Sequence, residues 1–389
     1  MNKIIITIIL IIGLNVFIPV KTFSSTHIEN ISTQSEAAIL IEENSGEILY
    51  QKNSQKMMYP ASLTKIATAI YAIEKGNLDD LTTVNRNATQ AEGTRIYLEE
   101  GEKITLKKLI QGLLINSGND AGVAIAEHLD GSIGIFSENI NDYLFNEIGV
   151  KNTSFKNPHG LFNENHLTTA EDLAKITQYA LKNKDFREIF GTKELEWKDQ
   201  QWETTLFSHH KLMGERPYNG VTGGKTGFVD QSGHTLVTTA KRGDVNLIVV
   251  TLKGQSQIVA YNDTVALLDY GFDNFKTVSI AQGEEFTFNN IEYQMPSDSY
   301  FTVRKEEKPL QNITDKGTLE ILSSNNEPIT TFNLEKISKQ KNQSNELELN
   351  KNKENSNSVA EQHLSILMPI SIITFMIIIS FFYREVRKI

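Results

Sequence analysis

The chain has 389 residues, 39% hydrophobic and 22% charged. That is the composition of a globular protein with a sizeable core, and the length suggests two domains plus extensions. A net charge of −10 argues against nucleic acid as a partner. With no cysteine there are no disulfides, no thiolate catalysis and no cysteine-ligated zinc, which in an exported chain fits a bacterial envelope.

Residues 1–25 have the order of a secretory signal: Lys3, a run of Ile and Leu, then Thr22, Ser24 and Ser25 as small polar residues near a cleavage zone. An uncleaved anchor is the alternative. Next, AAILIEENSGEILYQKN holds two apolar runs about Asn44-Ser45-Gly46, a hairpin signal. In YPASLTKIATAI the spacing of Ile66, Ala69, Ile70 and Ile73 predicts a buried helix from Ser62 to about Lys75. TLKKLIQGLLINS and AGVAIAEHL predict two further helices. AEDLAKITQYALKN predicts another, capped by Thr168 or Thr169 with acids in its first turn. HTLVTTAKRGDVNLIVVTLKG predicts two adjacent strands turning at Arg242-Gly243-Asp244.

Beyond residue 275 the texture changes to short alternating stretches (EFTFNN, SYFTVRK, GTLEIL, TTFNL), predicting a small β domain over 276–334. Residues 335–362 are almost free of apolar side chains and predict a disordered linker, a flexible stalk. Residues 364–383 carry no charge and have the length of a transmembrane helix. The basic tail 384–389, with Arg384, Arg387 and Lys388, places the C-terminus in the cytoplasm and the body of the chain outside.

Three short motifs could carry chemistry. Ser62-x-x-Lys65 puts a hydroxyl and an amine on one helix face, where a desolvated lysine can take the serine proton. The spacing alone is weak, because it recurs at Ser208–Lys211 and Ser338–Lys341. Ser117-Gly118-Asn119, between two apolar helices, offers a hydroxyl and an amide to a cleft, or is simply a helix–helix turn. Lys225-Thr226-Gly227 opens a predicted strand, with glycine permitting close approach of a ligand, lysine a positive charge and threonine a hydroxyl; a glycine-rich hairpin is the alternative.

In this order the three motifs form the active-site set of the penicillin-recognising serine enzymes. The stretches AAILIEENSGEILYQKN, YPASLTKIATAIYAIE, GLLINSGNDAGVAIAE, KNTSFKNPHGL and HLTTAEDLAKI resemble the D-alanyl-D-alanine carboxypeptidase family of low-molecular-weight penicillin-binding proteins. The resemblance is continuous over about residues 36–275. It implies an α+β fold: a β-lactamase/transpeptidase-like domain (an antiparallel sheet flanked by helices) over 26–275, then the small β domain, stalk and membrane helix. It implies peptidoglycan stem peptides as substrate, β-lactam antibiotics as inhibitors, the cytoplasmic membrane as anchor, and no metal or organic cofactor.

The roles it implies are Ser62 as nucleophile, Lys65 as general base and Ser117 as proton relay tuned by Lys225. Asn119 would hold the peptide amide, Thr226 would bind the terminal carboxylate, and Gly227 would allow close approach. The backbone N–H groups of Ser62 and Phe228 would form the oxyanion hole. Two positions depart from the family pattern. Val229 stands where a Thr or Ser is usual, and QSQIVAYNDT lacks an arginine that relatives often carry, although Arg216 and Arg242 lie elsewhere near the motif in sequence. Two competing readings are a β-lactamase and a non-catalytic wall-associated scaffold. Against the first, the region KNPHGLFNENH resembles carboxypeptidases rather than the glutamate-bearing loop of β-lactamases.

Overall fold

The structure, a computed structural model, describes residues 31–198 and 203–337. The expected signal segment, most of the stalk and the apolar run 364–383 lie outside them. Among the described residues no helix is long and apolar enough to cross a membrane.

The described chain divides into two compact units: one runs to Ser279 and includes Tyr300–Glu307, the other comprises Ile280–Ser299 and the part from Lys308 onward. The first unit is built on a five-stranded sheet. Its strands are β1 (Ala37–Glu42), β2 (Ile48–Lys52), β3 (Val221–Val229), β4 (Gly233–Arg242) and β5 (Val245–Gly254), in the order β2-β1-β5-β4-β3. All neighbours are antiparallel. The β1–β2 hairpin closes where expected, because the Glu42 carboxylate accepts the N–H groups of Asn44 and Ser45 at 2.8 and 2.7 Å. The β4–β5 turn falls at Arg242-Gly243-Asp244, with Gly243 at φ 58°.

Strand alternation places Ala37, Ile39 and Ile41 in one core cluster and Ala38 and Leu40 in the other, so β1 is buried on both faces. The larger cluster lies between the sheet and helices α1 (Thr64–Lys75), α2 (Leu106–Ile115), α3 (Asn119–Asp130) and α4 (Ala170–Ala180). On the other face α5 (Gln257–Asn274) contributes Leu267, Leu268 and Phe272. Thr105 caps α2 by accepting from Lys108 N–H, and Thr169 rather than Thr168 caps α4 by accepting from Asp172 N–H.

Four details correct the sequence expectations. Ser62 does not start the long helix. It occupies a 3₁₀ turn, Ala61–Leu63, because Ala61 adopts a left-handed φ of 49° and α1 begins only at Thr64. Lys225-Thr226-Gly227 lies within β3 rather than opening it, since pairing with β4 starts at Val221↔Ala240. The second unit consists of short antiparallel sheets, but Glu335–Lys336 still pairs with the strand Ile291–Gln294, so ladder hydrogen bonds order the first residues of the expected stalk. Nor does the β-rich region separate cleanly at residue 275: the strand Ser299–Arg304 pairs with Phe275–Ile280, which draws Tyr300–Glu307 into the first unit.

Candidate active site

The first two turns of helix α1 are enclosed on every side: Thr64, Lys65, Ile66, Ala67, Thr68, Ala69 and Ile70 are all fully buried. Its apolar residues fill the core, and its polar ones need partners. They find them in the loop before α4. Lys65 Nζ donates to the His159 carbonyl oxygen at 2.8 Å and Thr68 Oγ1 to that of Pro158 at 2.7 Å, while Thr64 Oγ1 sits 2.8 Å from His166 Nε2.

Lys65 is the hub. Besides His159 O, its amine reaches Ser62 Oγ at 3.0 Å and Asn119 Oδ1 at 2.7 Å. The Asn119 amide is oriented by its other end, where Nδ2 donates to Glu92 O at 2.6 Å. Burial above all, and then the positive charge of Lys225, push the Lys65 pKa well below its ordinary value, with Asp120 opposing. A neutral amine has two N–H donors and one lone pair. Asn119 Oδ1 and the His159 carbonyl can only accept, so they take the two hydrogens, and the lone pair is left for the Ser62 hydroxyl proton.

Ser117 and Asn119 stand at the start of α3, where Gly118 is the N-cap. Ser117 is 5% exposed and held at a left-handed φ of 63°, the kind of sparsely populated backbone that concentrates at functional sites. Asp120 anchors this corner. Both its oxygens lie 3.0 Å from Ile96 N–H, and it also accepts from Leu98 and Ala121 N–H at 3.2 and 2.9 Å.

The third motif closes the site. Strand β3 is the edge of the sheet, and the Ala61–Leu63 turn packs along it. A Cβ on Gly227 would come within 2.5 Å of Thr235 Oγ1 and 2.8 Å of Ser62 N, so only glycine lets the strand lie this close to the serine. Thr235, on β4, pins the turn by donating to Pro60 O at 2.9 Å. Lys225 is 2% exposed, and burial lowers its pKa to about 7. Its amine donates to Thr226 O at 3.0 Å. Phe228 is half exposed, its ring 4.7 Å from that of His234.

A family model described as D-alanyl-D-alanine carboxypeptidase, peptidase family S11, matches residues 23–256. The chain belongs to the D-alanyl-D-alanine carboxypeptidase family. It is 32% identical over 297 residues to D-alanyl-D-alanine carboxypeptidase DacF of Bacillus subtilis, covering 74% of each chain. Among solved structures it is similar to penicillin binding protein 5 from Haemophilus influenzae, with 26% identity, a TM-score of 0.72, and coverage of 80% of this chain and 98% of that one. It is also similar to penicillin binding protein 6B from Escherichia coli, with 26% identity, a TM-score of 0.67, and coverage of 78% and 96%. The fold is thus the penicillin-binding transpeptidase-like one, with mixed α/β content and a small β domain.

Within this carboxypeptidase family the two sequence departures acquire positions. Val229 ends β3, where its N–H donates to Ser232 Oγ at 3.0 Å. Arg242 does not replace the missing arginine. It lies at the far end of β4, its guanidinium over the rings of Tyr218 and Phe272 at 4.6 and 4.5 Å. Arg216 sits in the exposed loop that precedes β3. Sequence reasoning missed Thr64, Thr235, Gly160, His166 and Asp120. The one available signal was the polar set Thr64, Lys65 and Thr68 on a helix otherwise read as apolar.

Proposed function

We propose that this chain is a serine-type D-Ala-D-Ala carboxypeptidase that removes the terminal D-alanine from peptidoglycan pentapeptide stems and is acylated by β-lactams at the same serine. The observation that carries the reading is Lys65, fully buried and bonded at once to Ser62 Oγ and Asn119 Oδ1. The edge strand β3 suits an extended peptide, which can lie along it beside Ser62. Ser62 Oγ bonds to the carbonyl carbon of the penultimate D-alanine while its proton passes to Lys65. The tetrahedral oxyanion is held by the backbone N–H groups of Ser62 and Phe228.

The bond to the terminal D-alanine nitrogen then breaks. Ser117 hands that nitrogen a proton and recovers one from Lys65. Asn119 holds the substrate amide, Thr226 binds the terminal carboxylate, and the charge of Lys225 tunes the Ser117 hydroxyl. Water, deprotonated by Lys65, attacks the ester and frees Ser62 and the shortened stem. The chemistry closes on side chains and backbone alone.

The chain works at the outer face of a bacterial cell membrane. Residues 1–25 direct export and residues 364–383 anchor the C-terminus, with the tail 384–389 in the cytoplasm. Measuring D-alanine release from a pentapeptide, with wild type and Ser62→Ala side by side, tests the activity: wild type releases D-alanine and labels with fluorescent penicillin, and Ser62→Ala does neither. Rapid multiple turnover of penicillin without D-alanine release would instead make the chain a β-lactamase, and a wild type that never labels would make it a scaffold. Removing residues 364–389 should move the protein from the membrane to the soluble fraction.

A further inference from the structure

With Ser62 read as the acylated nucleophile, the oxyanion of each tetrahedral intermediate rests on the Ser62 N–H. That N–H shares a rigid plane with the Ala61 carbonyl, and in a trans peptide the two point in opposite directions. Whatever grips the Ala61 oxygen therefore sets the aim of the Ser62 donor.

The Ala61 oxygen accepts the Thr64 backbone N–H and, as a second grip, ends a side-chain relay of hydrogen bonds of fixed direction. Lys156 N–H donates to His166 Nδ1 at 3.0 Å, so Nδ1 is an acceptor and the proton of the neutral ring is on Nε2. Nε2–H donates across 2.8 Å to Thr64 Oγ1, whose own hydrogen goes to Ala61 O at 2.9 Å. Thr64 is fully buried and His166 is 2% exposed, the imidazole stacked on Phe155 with centroids 4.8 Å apart. Burial first, and then the charge of Lys156, hold the His166 pKa down at about 3, so the ring stays neutral and keeps this direction. Ala61 needs holding: its left-handed φ of 49° is strained for a residue with a Cβ.

We propose that Thr64 and His166 are positioning residues for the oxyanion hole, holding the Ala61–Ser62 peptide plane so that the Ser62 N–H meets the developing oxyanion. Their relay also polarises the Ala61 carbonyl, which makes the N–H of the same peptide a stronger donor.

The test uses the full-length protein. It reads the acylation rate constant per penicillin-titratable site, together with kcat and KM for D-alanine release from a D-Ala-D-Ala peptide. Thr64→Val keeps the shape and loses the hydroxyl; it should lower acylation and kcat by about 10–100-fold, somewhat less than outright removal of an oxyanion donor, with KM changed little. Thr64→Ser should retain most of the rate. His166→Gln, whose amide can still donate to Thr64, should stay near wild type, and His166→Leu should fall by about 10-fold. A purely structural role would lower the melting temperature or the titratable fraction and leave the rate per site unchanged.

Thr64→Val or His166→Leu acylating at the wild-type rate per site overturns the proposal, as does failure of Thr64→Ser and His166→Gln to preserve it. If both apolar variants fail to fold while the Ser and Gln variants match wild type in stability, the relay is structural only and the proposal falls. Wild type that is not acylated at Ser62 removes the carboxypeptidase reading and this inference with it. Normal wild-type acylation with an unaffected Thr64→Val removes the inference alone.

Discussion

Gly160 is the point where the loop before α4 touches the Ala61–Leu63 turn that carries Ser62, and Gly160→Ala tests how tightly the two are joined. A Cβ there would lie 1.9 Å from Ala61 O, whereas real Cβ atoms keep at least 3.0 Å, so loop and turn must part by 3.0 − 1.9 = 1.1 Å. The residue also has φ +89°, a region that costs an alanine about 1–3 kcal/mol. The bonds on either side, Lys65 to His159 O at 2.8 Å and Thr68 to Pro158 O at 2.7 Å, lengthen as the loop withdraws. At about 1 kcal/mol each, their loss brings the total destabilisation to about 3–5 kcal/mol. A displacement of about 1 Å at a reacting group costs on the order of 100-fold in rate.

Gly131→Ala is the matched control: it has φ +77° and nothing within 4 Å of a new Cβ, so it carries backbone strain without a clash. It should lose about 1 kcal/mol and acylate normally. Denaturant midpoints give the stabilities, and the rate of fluorescent-penicillin labelling gives the function. Gly160→Ala labelling within twofold of wild type and unfolding together with Gly131→Ala would refute the claim that this loop is clamped on the serine turn.

Other perturbations probe charge. Lys225 has its folded pKa lowered to about 7 from an ordinary 10.5, so between those values the unfolded chain holds a proton that the folded chain does not, and stability rises with pH across this window. Lys225→Met should remove its share of that rise and leave the share due to Lys65, whose pKa is also lowered; equal pH slopes for variant and wild type in chemical denaturation would contradict the assignment. Asp120→Ala leaves the buried N–H groups of Ile96 and Leu98 without an acceptor and should cost about 2–4 kcal/mol. Protection against amide exchange should drop first at those two residues, and unchanged protection there would count against Asp120 as their anchor.

What was legible in the sequence was whatever rests on local periodicity or local capping. The hairpin about Asn44, the helix behind Thr169 and the Arg242–Asp244 turn are all fixed by residues within a few positions of one another, and the structure has them in place. The start of α1 was not legible. Ile66 and Ile70 predict a helix running back through Ser62, but the left-handed Ala61 breaks it, and that conformation is imposed from far along the chain by Gly160, Thr235 and Gly227. The same reason hid His166 and Asp120. Neither has a motif, and each matters only through backbone groups that the fold brings to it.

The three site motifs lie between these cases. Each was weak alone because Ser-x-x-Lys, Ser-x-Asn and a glycine after Lys-Thr all have ordinary uses in turns and helices. Their meaning depends on three-dimensional convergence, and the pivot of that convergence is the charge state of one lysine. Left on a surface, Lys65 would be an ammonium with no lone pair to offer. Enclosed in the fully buried first turns of its helix, near Lys225 and with both remaining hydrogens engaged by Asn119 and His159, it can act as a base toward Ser62. The apolar residues around it therefore contribute to the chemistry as directly as the motif residues do. Ile66, Ala69 and Ile70 are fully buried on the same helix, and a polar substitution there that admits water beside Lys65 should raise its pKa and slow acylation near neutral pH even where Ser62, Asn119 and Lys225 stay in place.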